Sequence, residues 1–137
     1  MKTIPALIHA TLANGGPANA PFYDVNITQE LCQAACCDET PYFKPQFSIR
    51  SVQNVGTNQY VVVIHVEGAI SYIPCCCGCC QTRTQVVSQD FTIPLYRTTA
   101  PTVTLTTGDS ANGMARRPCC QCSRIFVSET PLTLTIA

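Results

Sequence analysis

Eleven of the 137 residues are cysteine, and they fall in three clusters: Cys32, Cys36 and Cys37; Cys75, Cys76, Cys77, Cys79 and Cys80; Cys119, Cys120 and Cys122. Thiols packed this closely support two chemistries. They oxidise to disulfides in an oxidising compartment, or they stay reduced and bind a soft metal as thiolates. Cys76/Cys79, Cys77/Cys80 and Cys119/Cys122 have Cys-x-x-Cys spacing. Two such pairs make a tetrathiolate zinc site, with Cys76, Cys79, Cys119 and Cys122 as candidate ligands. One zinc would leave the other seven cysteines unexplained, and disulfides account for more of them. Adjacent cysteines point in different directions, so a Cys-Cys pair reaches one partner within the chain and another across a subunit contact. The count is odd, so at least one thiol is free, metal-bound or bonded to another chain.

Other cysteine chemistries fail on spacing. Haem attachment needs His after a Cys-x-x-Cys pair, but Cys80 follows Cys79 and Ser123 follows Cys122. A ferredoxin run needs further three-residue steps, which here land on Thr82 and Arg83. A thioredoxin-like site needs a βαβ pattern, which is missing. A cysteine nucleophile needs a histidine partner. The two histidines are His9, which nothing singles out, and His65, which sits in an apolar strand and reads as structural. No enzyme is expected, and no cofactor outside the zinc alternative. Asn26-Ile27-Thr28 matches a glycosylation sequon, which matters only on a secretory route. Arg116-Arg117 and Asp38-Glu39 read as solvated corners.

Composition bounds the partners. Eight Lys and Arg balance eight Asp and Glu, and charged residues make up 12% of the chain. That is about half the usual share. A neutral surface attracts neither nucleic acid nor anionic membrane, and its low charge favours association. No stretch approaches the ~18 apolar residues of a spanning helix, so membrane insertion is not expected. The first twenty residues imitate a signal peptide, with Lys2, an apolar Ile4 to Ala13 stretch and Ala18-Asn19-Ala20. Pro5, His9, Gly15-Gly16-Pro17 and Pro21 interrupt that pattern, so cytosolic synthesis without export is expected. Oxidised cysteines would then require release, for example by lysis of the producing cell.

The elements that must position the thiols are β-strands. Phe47 to Val55 and Gln59 to Glu67 are rich in β-branched residues and parted by the turn signal Gly56-Thr57-Asn58. Ala69 to Ile73, Gln85 to Leu95, Thr102 to Thr107, Ser123 to Ser128 and Leu132 to Ile136 continue the pattern. Val103, Leu105, Leu132, Leu134 and Ile136 alternate with threonine, burying one face. Val61 to Ile64 reads as a strand covered on both faces. Thr28 to Cys37 is the helix candidate, with Thr28 as cap. The cysteine clusters fall between strands, where loops at one end of a sandwich could bring all three together. The expected fold is all-β: an antiparallel β-sandwich, jelly-roll or Ig-like, over residues 21–137. Residues 1–20 form an extended N-terminal arm or connector. They contain the β-prone Thr3 to Ile8, which serves as an edge strand of its own domain or adds to a neighbouring subunit's sheet.

Val66, Gly68 and Tyr72, followed by a hairpin returning to Phe91-x-Ile93-Pro94, resemble the repeated β-domain of spore-coat morphogenetic proteins of endospore-forming bacteria. The departures are the Cys-rich turn and Leu95 in place of Phe. The chain as a whole is similar to the subunits of disulfide-linked spore appendages: β-sandwich proteins without signal peptides, carrying an N-terminal connector and paired cysteines. That resemblance implies assembly in the mother cell and later oxidation. The expected function is a structural subunit that polymerises with itself on a cell or spore surface, by strand exchange through Met1 to Ala20 and by disulfides. The alternative is a cytosolic β-domain that binds a partner and carries structural zinc.

Overall fold

A computed structural model of the chain describes residues 4–13, 19–35, 41–74, 82–114 and 123–137. These residues form strands β1 (Leu7–Leu12), β2 (Phe22–Ala35), β3 (Gln46–Gly56), β4 (Gln59–Tyr72), β5 (Arg83–Tyr96), β6 (Val103–Thr107), β7 (Ala111–Met114) and β8 (Ser123–Ile136). The larger antiparallel sheet runs β1-β2-β8-β6, with β7 also paired to β8, and the smaller runs β3-β4-β5. The all-β expectation therefore holds, as two antiparallel sheets in a sandwich-like arrangement.

Alternation builds the core. Tyr23, Val25, Ile27 and Leu31 of β2 and Phe126, Leu132, Leu134 and Ile136 of β8 are buried on one side. Val62, Ile64, Val66, Ile70 and Tyr72 of β4 face them with Val87, Phe91, Ile93 and Leu95 of β5, in one continuous cluster. Burial of each such side chain is worth about 1.5–3 kcal/mol. Phe43, in the segment leading into β3, stands edge-on against Phe126 with ring centroids 5.6 Å apart. Gly68 makes room for it: a Cβ there would lie 2.7 Å from the Phe43 ring.

Several expectations are corrected. Residues 28–35 are strand, not helix, because buried residues recur at every second position from Tyr23 to Leu31 and the buried polar Gln29 disguises that period. Cys32 therefore lies within a strand rather than between strands. The pieces 59–67 and 69–73 join into β4, and 123–128 and 132–136 join into β8, because Gly68 and Pro131 keep their places in the ladders. Between the expected strands Thr102 to Thr107 and Ser123 to Ser128 lies the further strand β7, which pairs with the first half of β8. The outer face of Val61 to Ile64 is half-buried rather than covered: Val62 and Ile64 are buried, Val61 and Val63 intermediate. Residues 7–12 form an edge strand of the chain's own larger sheet.

Candidate functional site

Cys32 is described, and it is a free, exposed thiol on β2. The other ten cysteines lie outside the described residues, but three of them, Cys36, Cys75 and Cys122, are bonded directly to described residues. Ala35 precedes Cys36, Pro74 precedes Cys75, and Ser123 follows Cys122. Ala35 pairs with Ser123 and also forms a β-bridge with Pro74. One buried alanine thus brings together three described residues, each adjoining a different cysteine cluster in the sequence. The strand ends agree: β2, β4 and β7 finish at this pole, and β5 and β8 begin there.

The local sequence shows how β2 reaches both sheets. Its ladder with β8 is regular to Glu30↔Ile125 and resumes at Ala35↔Ser123. Four residues, Leu31 to Ala34, thus stand opposite Arg124 alone, a wide irregularity in the ladder, after which Ala35 pairs with β8 again and also bridges to Pro74 beyond the end of β4. Side chains replace the ladder there. Gln85 of β5 accepts from the Cys32 backbone N–H at 2.9 Å and donates to the Glu30 carbonyl at 3.0 Å. Arg124 Nε donates to the Leu31 carbonyl at 3.0 Å, and its Nη2 lies 3.8 Å from Glu30 Oε1. That ion pair is about half exposed and worth little alone; the bonds to backbone hold the bulge. Nothing in the order of residues 28–37 announces it, and Gln85 was legible only as a polar residue at the head of a strand.

A second constellation lies on the outer face of the smaller sheet. His65 Nδ1 is 2.7 Å from Asp90 Oδ1, and Ser88 Oγ is 3.4 Å from His65 Nε2. This is the contact order of a serine nucleophile with its base and orienting acid. Glu67 Oε1 intrudes, 3.4 Å from Ser88 Oγ and 3.6 Å from the same Nε2. Arg50 Nε takes up Asp90 at 3.2 Å. These side chains point outward from a sheet face, and the hydroxyl has a carboxylate acceptor competing with the imidazole. The row is a satisfied surface histidine, as its sequence context implied, with partners that the sequence did not reveal.

Among the described residues no group of three or more His, Cys, Asp and Glu is placed to hold a metal, and no helix is long and apolar enough to cross a membrane. The proposed zinc ligands Cys76, Cys79, Cys119 and Cys122 lie outside the described residues. No family model, curated protein or solved structure matches the chain.

Proposed function

We propose that the protein is a structural subunit of a self-assembling extracellular or spore-surface filament or layer, a β-sandwich of jelly-roll or Ig-like type whose clustered cysteines cross-link neighbouring copies. The observation that carries this reading is the double pairing of Ala35 with Pro74 and Ser123, which tethers three cysteine clusters to one pole. A pole with more thiols than its own closure needs can bond outward. Each bridge closed within a chain stabilises it by about 2–4 kcal/mol. Bridges between chains act kinetically, because a covalent polymer cannot shed subunits one at a time. Synthesis without export and oxidation after release reconcile the thiols with their destination. The non-covalent contact runs through the N-terminal segment, 1–20. The partner is the chain itself, without nucleic acid, membrane insertion or cofactor.

The test is a denaturing gel of alkylated native material with and without reductant. A ladder collapsing to the 14.8 kDa chain on reduction is expected. One monomer band in both lanes would sink the inter-subunit disulfides.

The second reading, a cytosolic binding module with zinc on Cys76, Cys79, Cys119 and Cys122, draws on the same convergence, since Pro74 and Ser123 both meet Ala35. Stoichiometric zinc together with eleven alkylatable thiols would favour it.

A further inference from the structure

Each sheet edge that stays open invites another strand, and three of the four are defended. β3 carries register shifts at Ile49/Ser51 and Asn54/Gly56 and approaches β6. β5 contains Pro94, and its Gln85 and Gln89 side chains turn toward β2 and the N-terminal segment. The β6/β7 edge is short and broken where the Gly108 N–H donates to the Pro131 carbonyl at 2.9 Å. β1 has no such device. Its six residues run in unbroken register from Leu7↔Thr28 to Leu12↔Tyr23, with no proline and no Asp, Glu, Lys or Arg. Among the described residues β1 pairs with β2 alone.

The hydrogen-bond phase of that edge follows from one contact. The Ala13 N–H donates to the Phe22 carbonyl at 2.8 Å, continuing the β1–β2 ladder. In an antiparallel pair every second residue faces its partner. Leu7, His9 and Thr11 therefore point their backbone groups at β2, and Ile8, Ala10 and Leu12 point theirs at the open edge. Ala6 has the outward phase too. Its N–H donates to Gln89 Oε1 at 3.0 Å and its carbonyl accepts from Gln89 Nε2 at 2.8 Å, so an amide side chain already sits where a neighbouring strand would.

We propose that β1 of one copy pairs antiparallel with β1 of a second copy, about a two-fold axis at Ala10. Only even residues face the open edge, so the register in which Ile8 meets the partner's Leu12 and Ala10 meets the partner's Ala10 uses all three outward residues of each strand. It keeps like faces together, because residues that oppose one another in an antiparallel pair lie on the same side. A small residue sits on the axis, where two copies come closest. No like charges meet. Leu12, 60% exposed in the single chain, gains Ile8 of the second copy as its cross-strand neighbour.

This pairing deepens the structural-subunit reading and rests on it for its consequence. Joined at a single cysteine pole, copies could only cluster around that pole. Antiparallel β1 strands turn the two copies end for end, so their cysteine poles point in opposite directions, on the order of 50 Å apart at about 3.3 Å per strand residue. A two-ended unit of this kind extends linearly by pole-to-pole disulfides.

The experiment uses the full chain, reduced and with its thiols alkylated, measured by light scattering. The expected mass is twice 14.8 kDa. Ala10→Pro removes an outward N–H while leaving the β2-facing bonds in place, and is expected to give 14.8 kDa with an unchanged circular dichroism spectrum. A photo-cross-linking residue at the exposed Thr11 should mark β1 of the second copy. A monomeric alkylated wild type, a dimeric Ala10→Pro, or inter-copy cross-links to β2 instead, as strand exchange would give, each overturns the pairing. These outcomes are independent of the disulfide ladder, because every thiol is blocked.

Discussion

The two ends of the sandwich are closed by different means. At the end opposite the cysteines, main-chain bonds do the work. β3 and β4 meet in a two-residue turn at Thr57-Asn58, with Asn58 at φ 58°. The N–H of Arg97 donates to the Asn58 carbonyl at 3.0 Å. Thr102 and Ala137 exchange backbone bonds at 3.2 and 2.9 Å, and Ile136 reaches the Asn19 carbonyl at 2.8 Å. At the cysteine pole β2 leaves its ladder for four residues, and Gln85 and Arg124 hold its backbone by side chains. Main-chain closure tolerates changes of side chain, even where it joins residues as distant as Asn19 and Ile136. Side-chain closure joins segments 53 and 93 residues apart, so the pole depends on a few residues far away in the chain.

The comparison can be broken most severely behind the pole. Phe126→Ala removes a fully buried ring that meets Phe43 between the sheets, and should cost about 3–5 kcal/mol in urea unfolding. A loss below 1 kcal/mol would mean that the two sheets do not share their core there. Gln85→Ala removes two hydrogen bonds to β2 and should cost about 1–2 kcal/mol. Its sharper signature is local: faster amide exchange around Cys32, with the 56–59 turn unchanged. Equal acceleration at both ends would erase the distinction between them. The smallest effect belongs to the hairpin. Asn58→Ala puts a residue that disfavours the left-handed region at positive φ and should cost about 1 kcal/mol, while Asn58→Gly should stay within a few tenths. Reversal of that order in thermal melts would contradict the left-handed turn.

Strand character was legible wherever apolar residues alternate with hydroxylated ones, as along Val103 to Thr107 and Leu132 to Ile136. It was illegible along β2, where Thr28 and Glu30 imitate the opening of a helix and the buried Gln29 stands in an apolar row. Gln29 is tolerated there because its amide donates to the carbonyls of Ile4 and Glu30 at 2.9 and 2.8 Å, partners that only the folded chain supplies. The expected arm illustrates the same gap: the sequence marks Thr3 to Ile8 as β-prone, whereas the strand runs Leu7–Leu12 and pairs with β2 from Leu7↔Thr28 to Leu12↔Tyr23.

By itself the sequence determined the all-β character of the chain and most of its strands, through the period-two burial that hydrophobic residues impose. Its balanced charge is the ground for expecting no polyanionic partner. Tertiary structure alone decided that Ala35 meets both Pro74 and Ser123, that β2 breaks its ladder with β8 just before, and that β1 keeps an undefended edge. Those outcomes depend on pairings between residues far apart in the chain. Such pairings are chosen by the packing of two sheets against each other, which no local pattern of residues encodes.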